Sequence, residues 1–456
     1  MQADNSLYIP VAAALITFLV FFIYYQYKGF KVKIEEDLVV QQNPDTAFYD
    51  AFGRERVSQP YLIFESKQNT DNNPLLWDQA LVSGDTTSGV STVAEWQKNR
   101  ASTTLKAQSG ISGNYIRQTY RRFNYQPGKS QHILITANVL RNSPSSTIGA
   151  TVILGSLDDY NGIYFEYNQG IMYCVVKSNV TGTPSYSKIA QNDWNVDKMD
   201  GKGLSGINIK WDKVHIFLID YAWLGVGRIR FGFVIQGLTY YVHHFVTANQ
   251  GSSVYISNPN LPLRFQLITT EETENAIWSE HICSAVASEG GDQENIGIIR
   301  NESTETYNVP NANNEYLLIT IRQKEDYIDT TIFPNLLDVF NSDAIQDQKS
   351  EWYLVFDPQY SQELIWQGVS QSAIEYAVNN NSDNITVTGG YKIKSGYTIS
   401  GKHGAGQRNT SQTLEKNILL LGTSIGGGRQ TLAITTQLLN GATNVDTNAS
   451  ISWKEL

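Results

Sequence analysis

Cysteine is nearly missing from this chain, with Cys174 and Cys283 the two in 456 residues. Two cannot build the disulfide framework of a stapled secreted module, and both sit among apolar neighbours, which reads as buried, reduced thiols. Positive charge is short as well, with 34 Lys and Arg against 44 Asp and Glu and a net charge of −10. A nucleic-acid binder needs a basic surface to neutralise phosphates, so nucleic acid is not an expected partner. The one basic run, RQTYRR from Arg117 to Arg122, reads as a solvated strand edge guarded by charge. Heptads and fixed-period repeats are absent, which removes coiled coils and solenoids.

Long hydrophobic runs are also scarce, and the exception stands at the amino terminus. LYIPVAAALITFLVFFIYYQY holds no charged residue from Leu7 to Tyr25. Nineteen residues at ~1.5 Å each make a helix of roughly 28 Å, close to the hydrocarbon thickness of a bilayer. Ile16, Phe18, Phe21 and Phe22 supply its bulk, and Tyr24 and Tyr25 stand where an interfacial aromatic belt belongs. A cleaved signal peptide fits less well, because Met1 to Ser6 carries no Lys or Arg and no small-x-small site follows the run. Lys28, Lys31 and Lys33 come directly after it, so the positive-inside bias places the bulk of the chain on the cytoplasmic face. In that orientation the sequons at Asn179, Asn301, Asn380, Asn384, Asn409 and Asn448 are chance products of an Asn-, Ser- and Thr-rich composition.

Behind the span, short aromatic and β-branched runs alternate with Asn, Gly and Ser, the texture of an all-β protein. IYFEYNQGIMYCVVKS, broken at Asn168, Gln169 and Gly170, reads as a hairpin. HILITANVL, VHIFLID, GRIRFGFVI and LTYYVHHF continue the series. Between Ala285 and Asn314 the pattern collapses into a polar, Gly-rich stretch, and a second set of strands runs from EYLLITIR to ASISWKEL, with a short helix-like stretch around Asn335 to Phe340. The expected organisation is an anchor over 1–32, a linker over 33–84, a β-sandwich over 85–284, a linker over 285–314 and a second β-sandwich over 315–456. Each sandwich is expected to be of jelly-roll or lectin-like type.

Chemistry is harder to find. GTSIG, Gly422 to Gly426, matches a nucleophile-elbow pattern, but a strand follows it and the last histidine, His403, precedes Ser424, so the order serine, acid, histidine cannot arise. GVGRIRFG, Gly225 to Gly232, continues into a strand where a phosphate loop needs a helix, so its glycines read as close backbone approaches. Asp193, Asn195, Asp197 and Asp200 space oxygens as a cation loop does, without the glycine and bidentate glutamate of an EF-hand; an Asx-rich surface turn is the alternative. No cofactor is implied and no catalytic residue stands out, so the chain reads as a non-enzyme.

The runs QTYRRFNYQPGKSQHILITANVL, YNGIYFEYNQG, QNDWNVDKMDGKGLSGINIKWDK, DYAWLGVGRIRFGFVIQG, NPNLPLRFQL and ISWKEL together resemble a family of uncharacterised virion structural proteins of tailed phages and of large DNA viruses of algae and protists. The likeness spans roughly residues 85 to 456 and is most specific from Trp194 to Arg264. No catalytic residues are attributed to that family. Its phage members typically lack a membrane span, whereas large icosahedral DNA viruses with an internal membrane have minor capsid proteins that use one. The resemblance therefore implies a minor capsid protein between viral inner membrane and shell, with the lipid bilayer and other capsid proteins, including the major capsid protein, as partners. A carbohydrate-binding attachment protein displayed from a membrane is the alternative.

Overall fold

The computed structural model describes residues 49–56, 60–84, 93–141, 148–290, 297–341, 348–400, 410–414, 420–439 and 441–456. Leu7 to Tyr25 and the lysines at 28, 31 and 33 lie outside them. Among the described residues, no helix is long and apolar enough to cross a membrane.

The architecture is all-β. In the first sandwich one antiparallel sheet runs Leu238–Phe245, Ile229–Ile235, His215–Tyr221, Gln131–Arg141, Ile277–Ser288, Ser102–Ala107, Ala94–Gln97. Tyr61–Lys67 also pairs with Ile277–Ser288. The facing sheet runs Ser185–Ala190, Ile171–Ser178, Gly162–Asn168, Ala150–Leu157, Leu263–Thr269, Gly113–Thr119, Trp77–Gly84. Alternation places one residue in two between the sheets. Phe217, Phe231 and Phe233 from one layer meet Phe165 from the other, with ring centroids 5.2, 5.1 and 5.3 Å apart. The hairpin at Asn168 forms as expected, with Gln169 and Gly170 both at positive φ, the geometry a two-residue turn between twisted strands demands.

The second sandwich sets Ile298–Ser303, Val445–Glu455, Ile332–Asn341 and Thr410–Thr413, with Tyr307–Val309 also on Val445–Glu455, against a six-stranded sheet. That sheet runs Gln367–Gly368, Ile374–Val378, Tyr316–Gln323, Leu432–Leu438, Gln348–Phe356, Tyr391–Ser400. Trp352 and Trp453, one from each layer, are fully buried in the shared core.

Three expectations change. Residues 61–84 are not linker, since they add a strand to each layer of the first sandwich. The stretch from 285 to 314 is not all linker: Ala285 to Ser288 completes a long strand, and the second sandwich begins at Ile298. IIRNES reads as loop because an edge strand leaves Ile298 and Ile299 exposed and alternates little. Asn335 to Phe340 is strand and not helix. A bulge between Pro334 and Leu336 interrupts the alternation and sets two leucines in succession, which mimics helical spacing.

Candidate functional site

Strand alternation sends Phe217, Ile219 and Tyr221 into the first core and turns Asp220 to the outer face of its sheet. Arg230 lies opposite it on the next strand, and both side chains are fully buried. The Asp220 carboxylate accepts from Arg230, from Arg56 Nη2 at 2.6 Å, from Ser130 Oγ at 2.6 Å and from Tyr241 OH at 2.8 Å. Arg56 Nε also stands 3.2 Å from Glu289 Oε1. Burial pushes the Asp220 carboxyl up, but the attraction of Arg230 and its other partners outweighs this and holds it down to about 2. His132, on the neighbouring strand, is lowered to about 4 by burial.

The lid over this cluster is the segment 49–56. Arg230 Nη2 donates to Tyr49 O at 2.7 Å, Arg228 Nε to Ala51 O at 3.3 Å, and Arg54 Nη1 to Gly128 O at 2.9 Å. Asp50 folds the segment on itself by accepting from Phe52 N and Arg54 N, both at 2.9 Å. The first described residues are thus strapped to the sandwich by buried charge. A carboxylate with four donors and no open face is a fastening, not a base poised over a substrate.

Two of the motifs that carry the resemblance meet beside this lock. Tyr125 OH accepts from Trp223 N at 2.9 Å, the Tyr125 and Tyr221 rings stack at 5.8 Å, and Tyr221 OH donates to Gln131. The YQPGKSQ and DYAWLGVGRIR runs therefore build one corner of the fold. Glycines of the GVGRIRFG motif are close approaches: a Cβ on Gly227 would lie 2.0 Å from Ala222 O, and one on Gly232 2.6 Å from Tyr240 O. Asp220, Arg230, Arg56 and Glu289 were missed from sequence. The available signal was a charge standing inside an apolar strand, in VHIFLID and again in GRIRFGF.

The candidate cation loop turns its oxygens on its own backbone. Asp197 is buried, with Oδ1 accepting from Met199 N at 2.8 Å and Oδ2 from Ser205 N at 2.7 Å. Asn195 pairs with the edge strand through His244 N at 3.0 Å and His244 O at 2.9 Å. Asp200 caps Lys202 N at 2.8 Å, while Asp193 is exposed in a 3₁₀ turn. Among the described residues, no group of three or more His, Cys, Asp and Glu side chains is arranged to hold a metal ion.

RQTYRR is not a solvated edge. Arg117 is fully buried in the first core, donating to Gln68 Oε1 at 3.0 Å and Asn72 O at 2.6 Å with its guanidinium over the Trp77 ring. Burial lowers it to about 9. Arg122 Nη1 reaches Asp158 at 2.7 Å in its own sandwich and Asp329 at 3.0 Å in the other. Asn260 Nδ2 donates to Asp329 O at 3.0 Å beside it. GTSIG supplies the other half of this clamp: Thr423 N donates to Tyr120 O at 3.0 Å and Ile425 N to Asp78 Oδ2 at 2.7 Å. Ser424 Oγ accepts from Gly428 N at 2.8 Å, closing its own turn.

No family model matches the chain, and no curated protein matches it. Among solved structures, an endo-1,3-β-glucanase from Streptomyces sioyaensis is 12% identical over 51% of this chain and 97% of its own, with a TM-score of 0.37. A Bacillus licheniformis β-glucanase is 8% identical over 50% and 98%, TM-score 0.32, and a Bauhinia forficata lectin in complex with GalNAc is 10% identical over 49% and 97%, TM-score 0.29. At such scores the likeness carries no argument about what this chain binds or does.

Proposed function

We propose that the chain is a membrane-anchored virion structural protein, a minor capsid protein that ties a viral inner membrane to the capsid shell. The observation that carries this reading is a pair of fastenings among the described residues, a strap at 49–56 and a clamp between the sandwiches. Uncharged Leu7 to Tyr25 supplies the anchor, the segment 49–56 is strapped to the first sandwich through Arg56 and Asp220, and the first sandwich is clamped to the second through Arg122, Asp329, Tyr120 and Ile425. Buried charge spent on joining segments suits a tether better than a catalyst. Edge strands such as Ile298–Ser303 and Tyr391–Ser400 offer backbone groups with which neighbouring capsid subunits can pair. During assembly the body faces the cytoplasm; in the particle it lies between membrane and shell.

The test is cross-linking of purified particles. Adducts with the major capsid protein or its neighbours are expected, and full-length chain is expected to resist alkaline carbonate extraction. The second reading, an attachment protein, draws on Tyr160 and Tyr186, exposed beside the outer face of the seven-stranded sheet, where rings could stack on sugars. Blockade of infection by a fragment starting near Glu35, with no capsid adducts, would favour that reading and sink the tether.

A further inference from the structure

The loop Trp223 to Gly227 presents aliphatic side chains to the outside from a backbone held at Trp223, Gly225 and Gly227. Leu224 has a φ of +35°, a conformation a branched side chain adopts at a steric cost, and yet it is 52% exposed. Val226 is 37% exposed, and Val246, one residue past the strand that pairs with Ile229, is 45% exposed. Thr247 Oγ1 donates to Gly227 O at 3.1 Å and so keeps the second segment against the first. Gly227 N donates to Trp223 O at 2.8 Å, Tyr255 N to Gly225 O at 2.9 Å, and Trp223 N to Tyr125 OH at 2.9 Å. The loop thus shows an apolar tip on a backbone fixed through Trp223, Gly225 and Gly227, which presents these side chains in one arrangement.

Its position selects the occupant. The tip lies at the end of the sheet where the strap arrives, since Arg228 and Arg230 bind Ala51 O and Tyr49 O. In sequence, residues 26–48 join the proposed span to Tyr49, and Tyr49 is held beside this tip. We infer that Leu224, Val226 and Val246 form a second membrane contact, dipping into the same bilayer that holds the anchor. Three aliphatic side chains bind a membrane weakly by themselves, but an anchored body meets the bilayer at high effective concentration, so a weak contact is populated. The strained, preorganised loop loses little freedom on docking. The inference rests on the anchor reading.

The experiment uses the full chain in phosphatidylcholine vesicles, with an environment-sensitive fluorophore on Leu224→Cys or, separately, Val246→Cys, in a Cys283→Ser background. Leu238→Cys serves as control, because Leu238 is 59% exposed at the opposite end of the same strands. Nitroxide-bearing acyl chains are expected to quench both tip labels several-fold more than the control. Carbonate extraction of the same vesicles scores the anchor independently. Carbonate-resistant protein whose tip labels quench no more than the control would overturn the second contact and leave the anchor standing. Labels shielded in assembled particles but not in vesicles would assign the tip to a protein neighbour, also against the inference. Extraction of the chain by carbonate would remove the anchor, and the inference with it.

Discussion

Asp220 and Arg230 stand opposite one another on adjacent antiparallel strands with neither side chain exposed. Removing the acid strands Arg230 and Arg56 without their shared counter-charge, and breaking one side of a buried pair costs about 3–5 kcal/mol. Asp220→Ala is therefore expected to lower stability by that order in chemical denaturation. The same variant should free the segment 49–56, so that trypsin cuts after Arg54 or Arg56 well before the sandwich unfolds. Equal protection of those sites in variant and parent would show that the strap does not depend on this carboxylate.

Histidine governs the expected pH dependence. Burial holds His132 and His243 down to about 4 and His281 well below its ordinary value. In the unfolded chain these rings take up protons near pH 6.5, while in the folded state burial keeps them neutral to lower pH, His132 and His243 until about 4, so stability is full above 6.5 and falls as the pH drops below it. Asp220, held at about 2, adds its own loss only below about pH 4. Glu289 and Asp329, pushed up by burial, work in the opposite sense and blunt the slope. Melting temperature should decline from pH 7 to pH 4.5, and His281→Gln or His132→Gln should flatten that decline. A flat profile in the parent protein would contradict the buried-neutral assignment.

The strands and hairpins were legible because they are local: alternation in VHIFLID and the Asn-Gln-Gly break each sit within one short window. The polar stretch from Ala285 to Asn314, read as linker, hid the strands Ile298–Ser303 and Tyr307–Val309, whose short edge-strand and three-residue patterns alternate too little to show. The lock and the clamp were not, because each is closed by residues far apart in sequence. Arg56 meets Asp220 across 164 positions, and Asp78 meets Ile425 across 347. RQTYRR misled for a related reason. A basic run reads as solvated unless its carboxylates are known, and Asp158 and Asp329, which hold Arg122, lie on two different sandwiches.

The clamp has its own test. Arg122 and Asp329 pair at 3.0 Å between the sandwiches, and Asp329 is partly exposed, so solvent screening keeps the pair modest. A double-mutant cycle with Arg122→Ala and Asp329→Ala should give a coupling near the low end of the ~0.5–3 kcal/mol found for contacting residues. Combining Arg122→Ala with Asp78→Ala removes partners from both halves of the clamp, and small-angle scattering should then report a larger radius of gyration with each sandwich still folded. An unchanged scattering curve would mean that the two sandwiches are held by something other than these contacts.

Glycosylation reports on which side of the membrane the body lies, and exposure makes the report meaningful. Asn301 is exposed on the edge strand Ile298–Ser303, and Asn380 is exposed at a turn between strands. An enzyme of the secretory lumen could reach Asn301 without unfolding anything, whereas Asn380 is engaged by Ser382 N at 2.9 Å and Asp383 N at 3.0 Å. An unmodified Asn301 would therefore reflect compartment and not burial. Lys28, Lys31 and Lys33 argue for a cytoplasmic body, so mass spectrometry of protein from infected cells is expected to find Asn301 bare. Glycan at Asn301 would reverse the topology and turn the strap, the tip and both sandwiches to the lumenal face, where an attachment protein would belong and a shell-facing tether would not.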